Sequence, residues 1–217
     1  MIRSATADDF AAVGELTVAV YIGEGFIPAS SPYAQTLADT ATRAAAAEVL
    51  VAEHLGEVVG SITVARPGSD YAPLARPGEL EFRMLAVAKA ARGLGVGTAL
   101  VEHVLTIAAA EGYDSVVIST QSNMVDARRV YDRLGFVYVP QRDWQPIPGV
   151  ELTVLEFAIT RLRFSPIGRE APPPTREQRR AAGQGLAQPG QAVVLPRFRR
   201  AQAWRVSSLR PQAIHDS

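Results

Sequence analysis

The sequence predicts an α/β fold, with helices layered on a sheet, and three observations carry that expectation. Segments with apolar residues three or four apart alternate with short runs rich in Val, Ile and Leu. One strand-like run, Gly78–Val87, leads through a glycine-rich loop into a helix-like segment ending near Glu111. The composition then changes after about residue 163, which divides the chain into a domain at 1–163 and an extension at 164–217.

The elements follow in chain order. Ile2–Ala5 is a short strand. Asp8 or Asp9 can cap a helix running through Phe10, Val13, Leu16 and Val20, all on one stripe. A second helix is expected over Tyr33–Ala47, where alanines favour helix and Ser31-Pro32 stands at the start. Glu48–Leu55 and Val58–Ala65 form a hairpin about a turn at Gly56-Glu57. In the strand Gly78–Val87, alternation puts Glu79, Glu81, Arg83, Leu85 and Val87 on one face. Leu80, Phe82, Met84 and Ala86 take the other. A helix from about Gly95 to Glu111 carries Leu100, Val104 and Ile107, and Gly112 stops it. Ser115–Thr120 reads as a buried strand and Met124–Leu134 as a helix stopped by Gly135. Phe136–Val139 and Val150–Ile159 are the last strands.

Composition excludes several function classes. There is no cysteine, so disulfides, thiol catalysis and cysteine metal sites are absent. His54, His103 and His215 have no metal-ligand spacing, and no metal is expected. No apolar run approaches the ~18 residues that span a bilayer, and the acidic N-terminus lacks a signal core; a cytoplasmic protein is expected. The zero net charge is the sum of two unequal parts. Residues 1–163 hold 13 Arg/Lys against 19 Asp/Glu, and residues 164–217 hold 9 Arg against 3 Asp/Glu. The extension carries seven of the 15 prolines and little apolar periodicity, which predicts disorder or loose packing. Its basic–aromatic cluster, Arg197-Phe198-Arg199-Arg200 with Trp204-Arg205, reads either as a contact for an acidic partner or as an extension without a role.

The run Arg92-Gly93-Leu94-Gly95-Val96-Gly97-Thr98 is where the sequence points to chemistry. Three glycines in five residues let backbone approach a ligand closely, and amides at a helix start attract a diphosphate. A tight structural turn is the plainer reading. A dinucleotide fingerprint needs glycine where Thr98 stands, and no Gly-Lys-Ser/Thr of a P-loop occurs.

The spacing of Arg92, Gly95 and Gly97 resembles the acyl-CoA motif of the GNAT superfamily of N-acetyltransferases. The run Ala127–Phe136, with Tyr131, Gly135 and Phe136, is similar to that family's second signature. The resemblance covers about residues 1–160. It implies a mixed, mainly antiparallel sheet of six to seven strands flanked by about four helices. It implies acetyl-CoA as co-substrate, held by the strand at Leu85, Ala86 and Val87 and by Arg92, Gly93, Leu94, Gly95, Val96, Gly97 and Thr98. Tyr131 falls where family members place the acid for the leaving thiolate. Glu81 falls where several place a base, with Glu79 in reserve. The family's asparagine position is Met124 here, and Asn123 stands beside it. The first two helices wall the acceptor pocket in such proteins, which makes Tyr21, Glu24, Phe26 and Tyr33 acceptor contacts. The acceptor implied is a primary amine of a small molecule or a protein, with neither membrane nor nucleic acid as partner and a homodimer as one arrangement. A non-catalytic acyl-CoA sensor with a basic partner-binding tail is the alternative reading. Tyr131 as a packed core residue is the plainer one for that position.

Overall fold

Local polar contacts decide where the first helices begin. A computed structural model describes residues 1–147 and 149–159. Pro148 and the extension at 164–217, with its basic–aromatic cluster, lie outside the described residues. After β1 (Ile2–Ser4), the Asp9 carboxylate accepts from the Thr6 amide at 2.7 Å and from its hydroxyl at 2.9 Å. The Arg3 guanidinium, hydrogen-bonded to the same carboxylate, holds it well below the usual carboxylate range. An anion thus stands at the start of α1 (Phe10–Gly23), where the helix dipole favours it. The buried side of α1 is Val13, Gly14 and Thr17; of the expected stripe of Phe10, Val13, Leu16 and Val20, Val13 is buried and the other three are half-buried. The small residues win because the end of α2 packs there: a Cβ on Gly14 would collide with the Ala38 carbonyl.

The expected helix over Tyr33–Ala47 is two helices, α2 (Tyr33–Ala38) and α3 (Thr40–Ala46). Asp39 breaks it. Its side chain accepts from the Thr42 amide at 3.0 Å and the Thr42 hydroxyl at 2.6 Å, a cap that outcompetes helical continuity. Five helices therefore flank the sheet among the described residues, against about four expected.

The strands are β2 (Glu48–His54), β3 (Glu57–Ala65), β4 (Glu79–Val87), β5 (Ser115–Thr120), β6 (Val137–Tyr138) and β7 (Thr153–Ala158). The β2–β3 turn is Leu55-Gly56, one residue earlier than expected. The seven strands form one sheet in the order β1-β2-β3-β4-β5-β7-β6, antiparallel except for β4 with β5. Between β4 and β5 run the helix α4 (Val96–Glu111) and its glycine loop; α5 (Val125–Leu134) follows β5.

Two irregularities in β4 open the sheet. Its parallel pairing with β5 stops at Glu81↔Val117, although β4 continues to Val87 and β5 to Thr120. Against β3, Ser61 pairs with Ala86 and Thr63 with Arg83, so β4 carries one extra residue. Met84 sits at that bulge with φ 54°. Side-chain alternation therefore inverts. Leu80 and Phe82 before the bulge, and Leu85 and Val87 after it, meet the core beneath α4; Met84 packs with Ile27 and Leu37 on the opposite face. The expectation that Glu81 shares a face with Leu85 and Val87 is corrected by this bulge.

The larger core lies between the sheet and α4, with Ile62, Leu80, Phe82, Leu100 and Val104 fully buried. Each such side chain contributes about 1.5–3 kcal/mol. It anchors the start of α4 against β3 and β4, which fixes the glycine loop in space. Among the described residues no helix is long and apolar enough to cross a membrane.

Candidate active site

The loop between β4 and α4 is built to expose amides. Gly93 and Gly95 adopt φ of 79° and 81°, a left-handed backbone that other residues adopt at a cost. A Cβ on either would meet nothing within 4 Å, so both are required by conformation and not by crowding. The first helical bond of α4 runs from the Ala99 amide to the Gly95 carbonyl at 2.9 Å. The amides of Val96, Gly97 and Thr98 precede it and have no acceptor within the helix. They face a cleft of about 790 Å³. An anion such as a diphosphate is the natural occupant of such a helix end.

Three other walls complete the cleft. The end of α1 contributes Val20, Tyr21 and Glu24, and Phe26 follows. The end of β4 parted from β5 contributes Leu85 and Val87. Across from them stand Asn123, Met124 and the face of α5 that carries Val130 and Tyr131. Glu24 and Arg92 meet at the rim in an ion pair of 2.5 Å that joins α1 to the glycine loop.

Tyr131 is 3% exposed and packs edge-on against Phe82, with ring centroids 5.7 Å apart, and against Phe136 at 5.7 Å. Its hydroxyl makes no hydrogen bond to the described residues. Burial pushes its pKa far above the ordinary phenol value, so it keeps its proton at any physiological pH.

Most expected site residues line this one cleft: Tyr21, Glu24, Phe26, Leu85, Val87, Arg92, Gly93, Gly95, Val96, Gly97, Thr98, Asn123 and Tyr131. Five do not. Leu94 points outward and is half exposed; Ala86 is buried against the sheet on the far side of the bulge. Tyr33 packs with Ile27, Leu37 and Met84. Glu79 is held by Arg142 in two bonds of 2.9 Å. Glu81 is fully buried. Its Oε2 accepts from the Leu74 and Ala75 amides at 2.8 and 3.0 Å, while Oε1 has no partner. Burial raises the Glu81 pKa above its ordinary value, and the Leu74 amide and the Arg83 charge oppose that rise.

Sequence reasoning misses Val20 and the cleft-facing part of Met124, and it passes over Arg43 and Arg142. The expected stripe puts Val20 in the core, whereas it is half-buried and lines the cleft. Arg43 is the single charge within Ala41–Ala47, and that isolation is a signal present in the sequence.

Comparison with known proteins shows the family and the fold. A sequence model of the acetyltransferase (GNAT) family matches residues 17–136, more than half of the chain. The chain belongs to the GNAT acetyltransferase family. N-acetylaspartate synthetase of Danio rerio is 29% identical over 115 residues, 53% of this chain and 38% of that protein. The Homo sapiens protein of the same name is 31% identical over 85 residues, 39% of this chain and 28% of its own length. Mouse N-acetyltransferase family 8 member 3 is 37% identical over 86 residues, 40% of this chain and 37% of that protein. The GNAT chain thus spans between 28% and 38% of the length of these relatives. Among solved structures, a GNAT acetyltransferase of Staphylococcus aureus Mu50 aligns with TM-score 0.60 at 15% identity, covering 74% of this chain and 99% of that one. The acetyltransferase yncA of Salmonella typhimurium, solved with acetyl-CoA, aligns with TM-score 0.54 at 22% identity, covering 74% and 94%. At these identities the likeness is one of fold.

Proposed function

We propose that the chain moves an acetyl group from acetyl-CoA to a primary amine, by direct attack within a ternary complex, and that it does so in the cytoplasm. The observation that carries this reading is convergence. The free amides of α4, the end of β4 parted from β5 and the Tyr131 hydroxyl all open on one cleft. The diphosphate of acetyl-CoA lies on the amides of Val96, Gly97 and Thr98, beside Arg92. The pantetheine arm runs along Leu85 and Val87, where β4 has parted from β5 while still paired with β3, so its β5-facing backbone is free to bond a ligand. The thioester then reaches Tyr131.

The neutral amine attacks the thioester carbonyl carbon, the C–S bond breaks, the thiolate takes a proton from Tyr131, and Tyr131 regains one from the nitrogen, which sheds it as the amide forms. No covalent enzyme is needed, because a thioester is already activated. Orientation and proton handling remain, the latter worth roughly 10²–10⁴-fold. The proton lost by the ammonium passes first to water in the cleft; Glu81 is fully buried and does not line the cleft, so its unpartnered Oε1 serves as base only where a water chain enters beside it. Glu79 is committed to Arg142, which favours Glu81 of the two.

The test is a thiol-release assay with acetyl-CoA and an amine panel, beside a direct binding measurement. Saturable binding with turnover supports the reading. Binding with no turnover across the panel would replace it with a sensor, and absence of binding would remove it.

A further inference from the structure

Two guanidinium groups stand on the face of β4 covered by α1–α3, and neither has an ion-pair partner among the described residues. Arg43, from α3, is 1% exposed. Its Nη1 donates to the Met84 sulfur at 2.7 Å and its Nη2 to the Thr40 hydroxyl at 3.0 Å; Nε has no partner. Arg83, the residue before the bulge, is half-buried and makes one long bond of 3.5 Å to the Tyr33 hydroxyl. Arg3, Arg66, Arg92, Arg129 and Arg142 each hold a carboxylate; Arg76, Arg128 and Arg133 do not, but Arg76 and Arg133 are exposed and Arg128 donates to the Thr153 hydroxyl at 3.0 Å. Two acids feel or oppose these charges. Glu81 senses Arg83 but makes no ion pair with it: its Oε2 is taken by backbone amides and its Oε1 has no hydrogen-bond partner. Asp39 senses Arg43 from the surface, where it caps α3.

A guanidinium buried without a counter-charge is costly to a fold, and a chain keeps one where it meets a ligand's charge or where neighbours compensate. Met84 sulfur is a weak acceptor and compensates little. The position is telling. Tyr21 lines the cleft and belongs to one packed cluster with Tyr33 and Met84, the two residues that Arg83 and Arg43 bond. The two cations therefore adjoin the cleft wall at Tyr21 without lining the cleft themselves.

We infer that the acceptor is an amine that also bears a carboxylate, an amino acid being the simplest case, with the carboxylate docked on Arg83 and Arg43 as a fixed charge behind it. This rests on the acetyl-transfer reading above and narrows its substrate. Arg83 presents a planar fork of donors, of which one is weakly used, and that fork matches a carboxylate. The Tyr33 and Tyr21 hydroxyls can add neutral donors. A polyamine, positive along its length, would meet two guanidiniums with nothing to offset them.

The experiment compares the common L-amino acids with their C-terminal amides at saturating acetyl-CoA, by thiol release. In parallel, N-acetyl amino acids and their amides are tested for binding to the CoA-loaded protein by saturation-transfer NMR, which needs no turnover. The acids should exceed their amides on the order of 10-fold in kcat/KM, and the acetylated acids should show carboxylate-dependent binding. Arg83→Gln should erase the preference of acid over amide and leave acetyl-CoA affinity unchanged. Arg43→Met should weaken the preference and leave Tm unchanged or raised, since it removes a buried unpaired charge; a merely structural arginine would lower Tm. Equal handling of acids and amides, or no carboxylate-dependent signal in either assay, overturns the inference. Failure of acetyl-CoA to bind at all would instead strike the acetyl-transfer reading, and is seen separately by calorimetry.

Discussion

Replacing Tyr131 by phenylalanine separates the chemical role of this residue from its packing. The ring contacts with Phe82 and Phe136, both at 5.7 Å between centroids, survive the change, because only the hydroxyl is lost. That hydroxyl bonds to none of the described residues, and the residue is 3% exposed. The hydroxyl opens on the cleft and bonds to no described residue, so removing it costs the fold little. Tm should therefore hold. Turnover behaves oppositely. Without the donor the thiolate must leave unprotonated or take its proton from water, a loss of roughly 10²–10⁴-fold, equivalent to about 3–5 kcal/mol in the barrier. The assays are thermal unfolding, calorimetric titration of acetyl-CoA and steady-state thiol release on the same preparation. Stability and cofactor affinity should be held while kcat falls. Full kcat in Tyr131→Phe would refute the assignment, and a lowered Tm would show that the hydroxyl has a structural partner after all.

Three further outcomes follow from the same geometry. Gly95→Ala should cost about 1–2 kcal/mol of stability through the left-handed φ of 81°, whereas Gly95→Glu should in addition abolish acetyl-CoA binding by aiming a charge at the diphosphate site; unchanged affinity in calorimetry would count against the placement of the cofactor. Glu24→Gln should tighten acetyl-CoA binding by roughly 2–5-fold, since it frees Arg92 at a partly exposed rim, and a weaker complex would mean that the ion pair supports the cleft. Burial raises the Glu81 pKa above its ordinary value, so the acid limb of kcat/KM should lie above pH 4.5, with activity gained as the carboxyl deprotonates on rising pH; Glu81→Gln should remove that limb, and its persistence would assign the base elsewhere.

What can be read from the sequence is local. The glycine loop, its join to α4 and the Tyr131-to-Phe136 run each depend on residues adjacent in the chain, and the cleft gathers most of them. The bulge at Met84 is not legible there, because charged–apolar alternation runs from Glu79 to Met84 and the apolar run Met84–Val87 fits either face; only pairing with β3 shows the extra residue. That single residue turns Glu81 away from Leu85 and Val87. The fate of Glu79 depends on Arg142, 63 positions away, and no spacing rule reaches so far. Asp39 is legible in principle as a cap, with Thr42 three residues on, but the surrounding alanines carry the stronger helix signal. Arg43 reads as a solvent-facing charge on an alanine helix; its burial comes from α3 packing against β2 and α1, with the side chain reaching Met84 of β4, which is tertiary information.

The measurement that reaches the central claim most directly is calorimetric titration of acetyl-CoA into the purified chain, with NADH as a control that also carries a diphosphate. The account predicts saturable one-to-one binding of acetyl-CoA, lost in Gly95→Glu, and none of NADH. Binding of both ligands alike would reduce the α4 terminus to a general anion site. Binding of neither would contradict the account, leaving the glycine loop as a turn and the cleft without its ligand.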